Sequence, residues 1–164
     1  MRQSRFFQTT PSIIKVEMLK EYEDSHDGSV RRQVKLYFDT PNNVSFDMWL
    51  WIPKGEGPFP VMLYVPCTDV IEPGKFYGWP SKYKRFGWAE EALSRGYMIC
   101  LYPGLDNYVS EEGYEGYAEV YKDFHNAYPE ATWTEISTKA WIGSRCIDYL
   151  VDPQYDNKVA RNQV

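Results

Sequence analysis

Pro58-Phe-Pro-Val-Met-Leu-Tyr-Val-Pro-Cys-Thr-Asp-Val70 decides the fold of this chain. Val61 to Val65 is a short, unbroken apolar run between prolines. A strand wetted on one face would alternate, so the run reads as a strand covered on both faces, the central-strand signature of an α/β sheet. The residues before it alternate as antiparallel strands do. After it, helix and strand patterns take turns. The run ends at Pro66-Cys67-Thr68-Asp69, the kind of strand end where such sheets bind ligands.

Upstream, Ile13 to Tyr22 can form a strand, and Ser25-His26-Asp27-Gly28-Ser29 carries an Asp-Gly turn signal. Val30, Arg32, Val34, Leu36 and Phe38 then alternate with polar neighbours, and only Arg32 breaks the apolar face. After the turn at Pro41-Asn42-Asn43, Phe46, Met48, Leu50 and Ile52 alternate with Ser45, Asp47, Trp49 and Trp51. Residues 1–57 therefore read as a β-meander feeding the buried strand.

Downstream, Lys75 to Phe86 is a loop crowded with rings. A helix comes next, with Trp88, Ala89, Ala92 and Leu93 inward, and Gly96 stands where a left-handed C-terminal cap belongs. Tyr97 to Tyr102 is a second apolar run. Strand, helix and strand make a βαβ unit over 58–104, with a right-handed crossover expected. Residues 105–132, rich in Glu, Gly and Tyr, read as a lid-like loop. Over 133–164, Trp133, Ile136, Ala140, Gly143, Ile147 and Leu150 mark one helix face, and Asp152-Pro153 ends it. Gly143 weakens that helix, which a close approach to the sheet would explain. Asp156 to Val164 reads as a loop entering a new strand. The fold class is α/β, one domain, with antiparallel strands leading into parallel βαβ.

The totals narrow the function. The chain has 164 residues and a net charge of −5, so no basic footprint for nucleic acid exists. Aromatic residues reach 17%, with six Trp and fourteen Tyr. That surplus suits a ring-lined pocket or packing under long loops. Cys67, Cys100 and Cys146 form no CxxC pair, which argues against zinc and a disulfide framework, and weakly favours a reducing compartment. Neither a signal-peptide core nor a membrane span stands out, so the chain as given reads as soluble, cytoplasmic unless a signal was removed.

Four segments together resemble the α/β-hydrolase fold of carbohydrate esterases, the acetyl xylan and glucuronoyl esterases. They are Val44-Ser-Phe-Asp-Met-Trp-Leu-Trp-Ile-Pro-Lys54, Gly57-Pro-Phe-Pro-Val-Met-Leu-Tyr-Val65, Ala92-Leu-Ser-Arg-Gly-Tyr-Met-Ile-Cys100 and Lys139-Ala-Trp-Ile-Gly-Ser-Arg-Cys-Ile-Asp-Tyr-Leu150. The resemblance implies that the last helix leads to the strand before a Gly-x-Ser-x-Gly-like nucleophile elbow, with the acid and histidine further on. Gly143-Ser144-Arg145 lies within a helix pattern and lacks that framing. The chain then reads as the N-terminal part of a serine carboxylic-ester hydrolase acting on acylated carbohydrate, inactive alone, with no metal or organic cofactor.

By the same resemblance, the loop after Val65 supplies an oxyanion N–H. Pro66 has none to give, so Cys67 or Thr68 is the expected donor, although the family's His-Gly pattern is absent. Cys67 can also be read as a nucleophile or, more simply, as a buried thiol. Tyr77, Trp79, Tyr102 and Asp106 sit at predicted strand ends, where they could line a sugar pocket or pack a lid. His26 and His125 read as surface or loop residues. The edge of strand 61–65 calls for a cover, from a C-terminal segment or a partner chain. The competing reading is a non-catalytic carbohydrate-binding or oligomerising module.

Overall fold

In the computed structural model, the described residues are 11–65, 87–103, 108–110, 113–115, 119–132 and 134–162. The alternating N-terminal segments form three antiparallel strands, β1 (Ile13–Glu23), β2 (Val30–Phe38) and β3 (Ser45–Ile52). Gly28, at φ 67°, makes the turn between β1 and β2 that the Asp-Gly signal predicts. The arginine that interrupts the apolar face of β2, Arg32, is held across the strands by Glu21 at 2.6 Å.

β4 (Val61–Tyr64) and β5 (Met98–Leu101) pair in parallel, with α1 (Gly87–Ser94) between them in sequence. Gly96 ends α1 in the left-handed region at φ 81°. The Tyr97 amide donates to the Ala92 carbonyl and the Gly96 amide to Leu93, the two bonds of a Schellman cap. The five strands lie in the order β1-β2-β3-β5-β4. The sheet is mixed: only β4 and β5 are parallel, and β5 joins the antiparallel strands through β3.

This order corrects one expectation. The fully covered strand is β5, whose four residues are all buried. β4 is the outermost strand among the described residues, and its Met62 is 40% exposed. Apolar continuity marked a strand between layers but could not say how far the next element covers it.

Both faces of β3 and β5 are packed. Phe46, Met48, Leu50, Met98 and Cys100 face one core with α2 (Glu119–Ala127) and α3 (Glu135–Val151). Trp49, Trp51, Ile99 and Leu101 face a second, smaller core against Ala89, Ala92 and Leu93 of α1. Trp49 and Trp51 occupy the positions that alternate with the apolar ones, and both are buried. Residues 105–132, expected as one loop, contain two three-residue strands, β6 (Tyr108–Ser110) and β7 (Gly113–Glu115), and α2. Phe124, Ala127 and Tyr128 fall at helical spacing and pack into the larger core.

The inward face of α3 also differs from the expected one. Thr138, Trp141, Ile142, Arg145, Cys146, Tyr149 and Leu150 are buried, while Ile136 is 78% exposed. The stripe through the isoleucines competes with one carrying the larger rings, and the rings win because they bury more apolar area. Trp141 stands 5.1 Å from Phe124 and 5.4 Å from Phe38, centroid to centroid. Thr134 caps the helix, accepting from the Ser137 amide, and Asp152 ends it. Among the described residues no helix is long and apolar enough to cross a membrane.

The smaller core closes around a charged cluster. Arg31 lies opposite Trp51 across the β2–β3 ladder, its guanidinium 4.2 Å from the indole ring. It pairs with Asp27 at 2.6 Å and Asp24 at 3.2 Å, on a side chain only 5% exposed. Burial alone would raise the Asp27 carboxyl. Hydrogen bonds from the Ser29 hydroxyl and amide, with the Arg31 charge, outweigh it and hold the group below its ordinary value. A carboxyl depressed in the folded state stabilises above its unfolded pKa, and the contribution fades as pH falls through the folded value. The stability gap between wild type and Asp27→Asn is therefore expected to be largest above pH ~5 and to shrink below pH ~4 in urea titrations. A gap that is constant across that range would contradict the assignment.

Candidate active site at the carboxyl ends of the parallel strands

In sheets of this kind, ligands bind beyond the carboxyl ends of the parallel strands. Here those ends are Tyr64 and Leu101, tied by the Tyr102 amide donating to the Tyr64 carbonyl at 3.3 Å. Strand alternation sends the two tyrosines to opposite faces. Tyr64 leans toward α1, its ring 4.8 Å from that of Trp88. Tyr102 leans toward α3, partly buried against the larger core. Neither Tyr64 nor Trp88 was singled out as a site residue. Tyr64 stands at the end of the apolar run, the signal that could have found it.

Tyr102 explains Gly143. A Cβ built on Gly143 would stand 2.9 Å from the Tyr102 Oη and 3.1 Å from its Cζ. The helix comes close to the sheet at a ring just past β5. Burial raises the Tyr102 pKa, and the Cys146 and Cys100 thiols raise it further, so the phenol stays a neutral O–H donor at neutral pH. Tyr102 is the one expected pocket residue the structure describes. Cys67, Thr68, Tyr77, Trp79 and Asp106 lie outside the described residues.

The remaining candidates find structural roles. Ser144 lies in mid-helix and exposed, its hydroxyl donating to the Ala140 carbonyl at 2.9 Å, the ordinary back-bond of a helical serine. Cys146 and Cys100 are buried. His125 belongs to α2, partly buried beside Phe124. His26 is exposed on the β1–β2 turn, 3.7 Å from Glu90 of α1. Two clefts of about 360 and 560 Å³ lie at the opposite end of β4, where residues 156–158 meet the 53–58 loop. That is the amino end of the parallel pair, away from the expected ligand position.

The last described segment completes the geometry. Phe59, just before β4, bridges Val159 in parallel. Its amide donates to the Lys158 carbonyl, and its carbonyl accepts from the Ala160 amide, both at 2.7 Å. The segment at Val159 thus starts along the side of β4 that β5 does not occupy.

No protein-family model and no curated protein sequence matches the chain. Solved structures do share its fold. A CE15 glucuronoyl esterase from Teredinibacter turnerae superposes with a TM-score of 0.58 at 20% identity, over 94% of this chain and 39% of the esterase. A promiscuous CE15 esterase from a marine bacterial metagenome gives 0.59 at 17% identity, over 98% of this chain and 46% of that one. The chain spans less than half the length of either. Its fold is similar to one part of the fold of these two esterases.

The Gly143–Tyr102 contact is open to a double-mutant cycle. Gly143→Ala gains about 1 kcal/mol of helix propensity, but in the wild type it must displace the Tyr102 ring. In a Tyr102→Ala background that obstacle is gone. The substitution is expected to be more favourable there by about 1 kcal/mol in chemical denaturation. Additive effects would mean that the ring does not meet the helix at Gly143.

Proposed function

We propose that the chain is the N-terminal part of a serine carboxylic-ester hydrolase acting on acylated carbohydrate, and that it supplies the frame of the active site without the nucleophile. The observation that carries this reading is the parallel bridge between Phe59 and Val159, beside the open side of β4. That bridge supports a further strand at the position where the resembling fold carries the one leading to the elbow. No serine in these 164 residues has the Gly-x-Ser-x-Gly framing.

In the intact enzyme a serine from beyond this segment attacks the ester carbonyl. A histidine takes the serine proton and passes it to the leaving alcohol, and an acid orients the histidine. The backbone N–H of Cys67 or Thr68 helps bind the tetrahedral oxyanion. Tyr77, Trp79, Tyr102 and Asp106 line the sugar-binding side. Tyr102, a neutral donor at the strand end, suits a sugar hydroxyl or the ester oxygen. The open side of β4 is covered by a C-terminal segment or a partner chain. The names of the solved neighbours favour an esterified sugar, a uronoyl ester in particular, as the substrate class.

A fluorophosphonate probe tests the reading. The 164-residue chain is expected to remain unlabelled and to leave a benzyl glucuronate ester at its uncatalysed rate. A chain extended through the next strand, the elbow and the remaining triad residues is expected to be labelled at one serine and to hydrolyse the ester. Labelling of the short chain at any serine would overturn the missing-nucleophile proposal.

A further inference from the structure

α3 runs antiparallel to β5 across the larger core. Its midpoint, Gly143, sits on Tyr102, just past the carboxyl end of β5. Its C-terminal end is tied to the amino end of β4: the Asn157 side chain donates to the Tyr149 carbonyl at 2.8 Å, and the neighbouring Lys158 accepts from Phe59. β4 and β5 are parallel and in register from Val61 and Met98. From the Gly143–Tyr102 contact, one helical turn toward the far end reaches Cys146. Two strand residues in the same direction reach Cys100, because alternate residues share a face. The rises are about 4.5 Å and 6.6 Å, so the two cysteines arrive opposite each other. Both are fully buried in the same core, and Tyr102 senses both thiols. The Cys146 thiol is pushed up first by burial and then by a hydrogen bond and charge interaction with Cys100.

We infer that Cys100 and Cys146 form a dithiol that closes to a disulfide joining the central strand β5 to α3 when a small disulfide oxidant such as glutathione disulfide reaches it. One cysteine, as thiolate, attacks the oxidant and forms a mixed disulfide, releasing one glutathione thiolate. The second cysteine, as thiolate, attacks the protein sulfur of that mixed disulfide and releases the second. The protein loses two electrons and two protons, and glutathione disulfide becomes two molecules of glutathione. Burial sets the rate. The thiolate is the attacking species, and a buried thiol with a raised pKa supplies little of it. Oxidation therefore requires α3 to lift from the sheet, or takes place during folding. Once formed, the bond closes a long loop of the unfolded chain and stabilises the fold.

The test uses the full chain, reduced and then exposed to glutathione disulfide, in native buffer and in urea below the unfolding transition. Intact mass and peptide mapping track the products. The expected product has lost two hydrogens, carries a Cys100–Cys146 link, forms faster in urea, and melts at a higher temperature until reduced. Cys67→Ser is expected to give the same product. A link through Cys67, a persistent glutathione adduct on Cys100 or Cys146, thiols that stay free even in urea, or a lowered melting temperature would each overturn the inference.

Discussion

Two 2.7 Å hydrogen bonds at Phe59 fix where the chain after α3 returns to the sheet. They place α3 as a crossover that leaves after β5 and comes back beside β4, in parallel. The return carries a backbone cost: Asp156 and Lys158 both adopt left-handed φ, at 43° and 55°, without being glycine. Such residues cost on the order of 1 kcal/mol each. Between them Asn157 is buried, its amide donating to the last turn of α3. The strained corner is thus locked by one side chain and two backbone bonds. It holds α3 along β5 and, through Gly143, against Tyr102.

The layers result from that placement. With α3 and α2 on one face and α1 on the other, β3 and β5 are sealed on both sides. The tryptophans at alternate positions of β3 become core residues of the smaller layer. A buried arginine can be tolerated at its rim because two carboxylates and an indole ring receive the guanidinium. The outer side of β4 has no such cover among the described residues, which leaves Met62 exposed.

Much of this was legible in residue order. Alternation in 30–38 and 45–52 marked the antiparallel strands, Gly96 marked the end of α1, and Gly143 marked a close approach. What failed had physical causes. The burial of Trp49 and Trp51, which alternate with the apolar positions of β3, was not legible because periodicity reports one covered face, and a second layer is invisible to it. The face of α3 was misjudged because two stripes share nearly the same spacing, and ring area decides between them. α2 was hidden by its charged residues, although Phe124, Ala127 and Tyr128 carried the period. At the site, Tyr102 could be placed from its position after β5, but its contact with α3 required the helix orientation.

The central physical claim concerns the open side of β4. Phe59 directs both its backbone groups to that side, and alternation by two puts the amides of Val61 and Leu63 there as well. Amide hydrogen exchange at Leu63 measures whether that side is covered. In the isolated chain the amide is expected to exchange rapidly, and to become protected when the chain is extended by the further strand proposed above. Protection of Leu63 in the monomeric, isolated chain would show that the edge is already paired, and would contradict a frame that waits for its next strand.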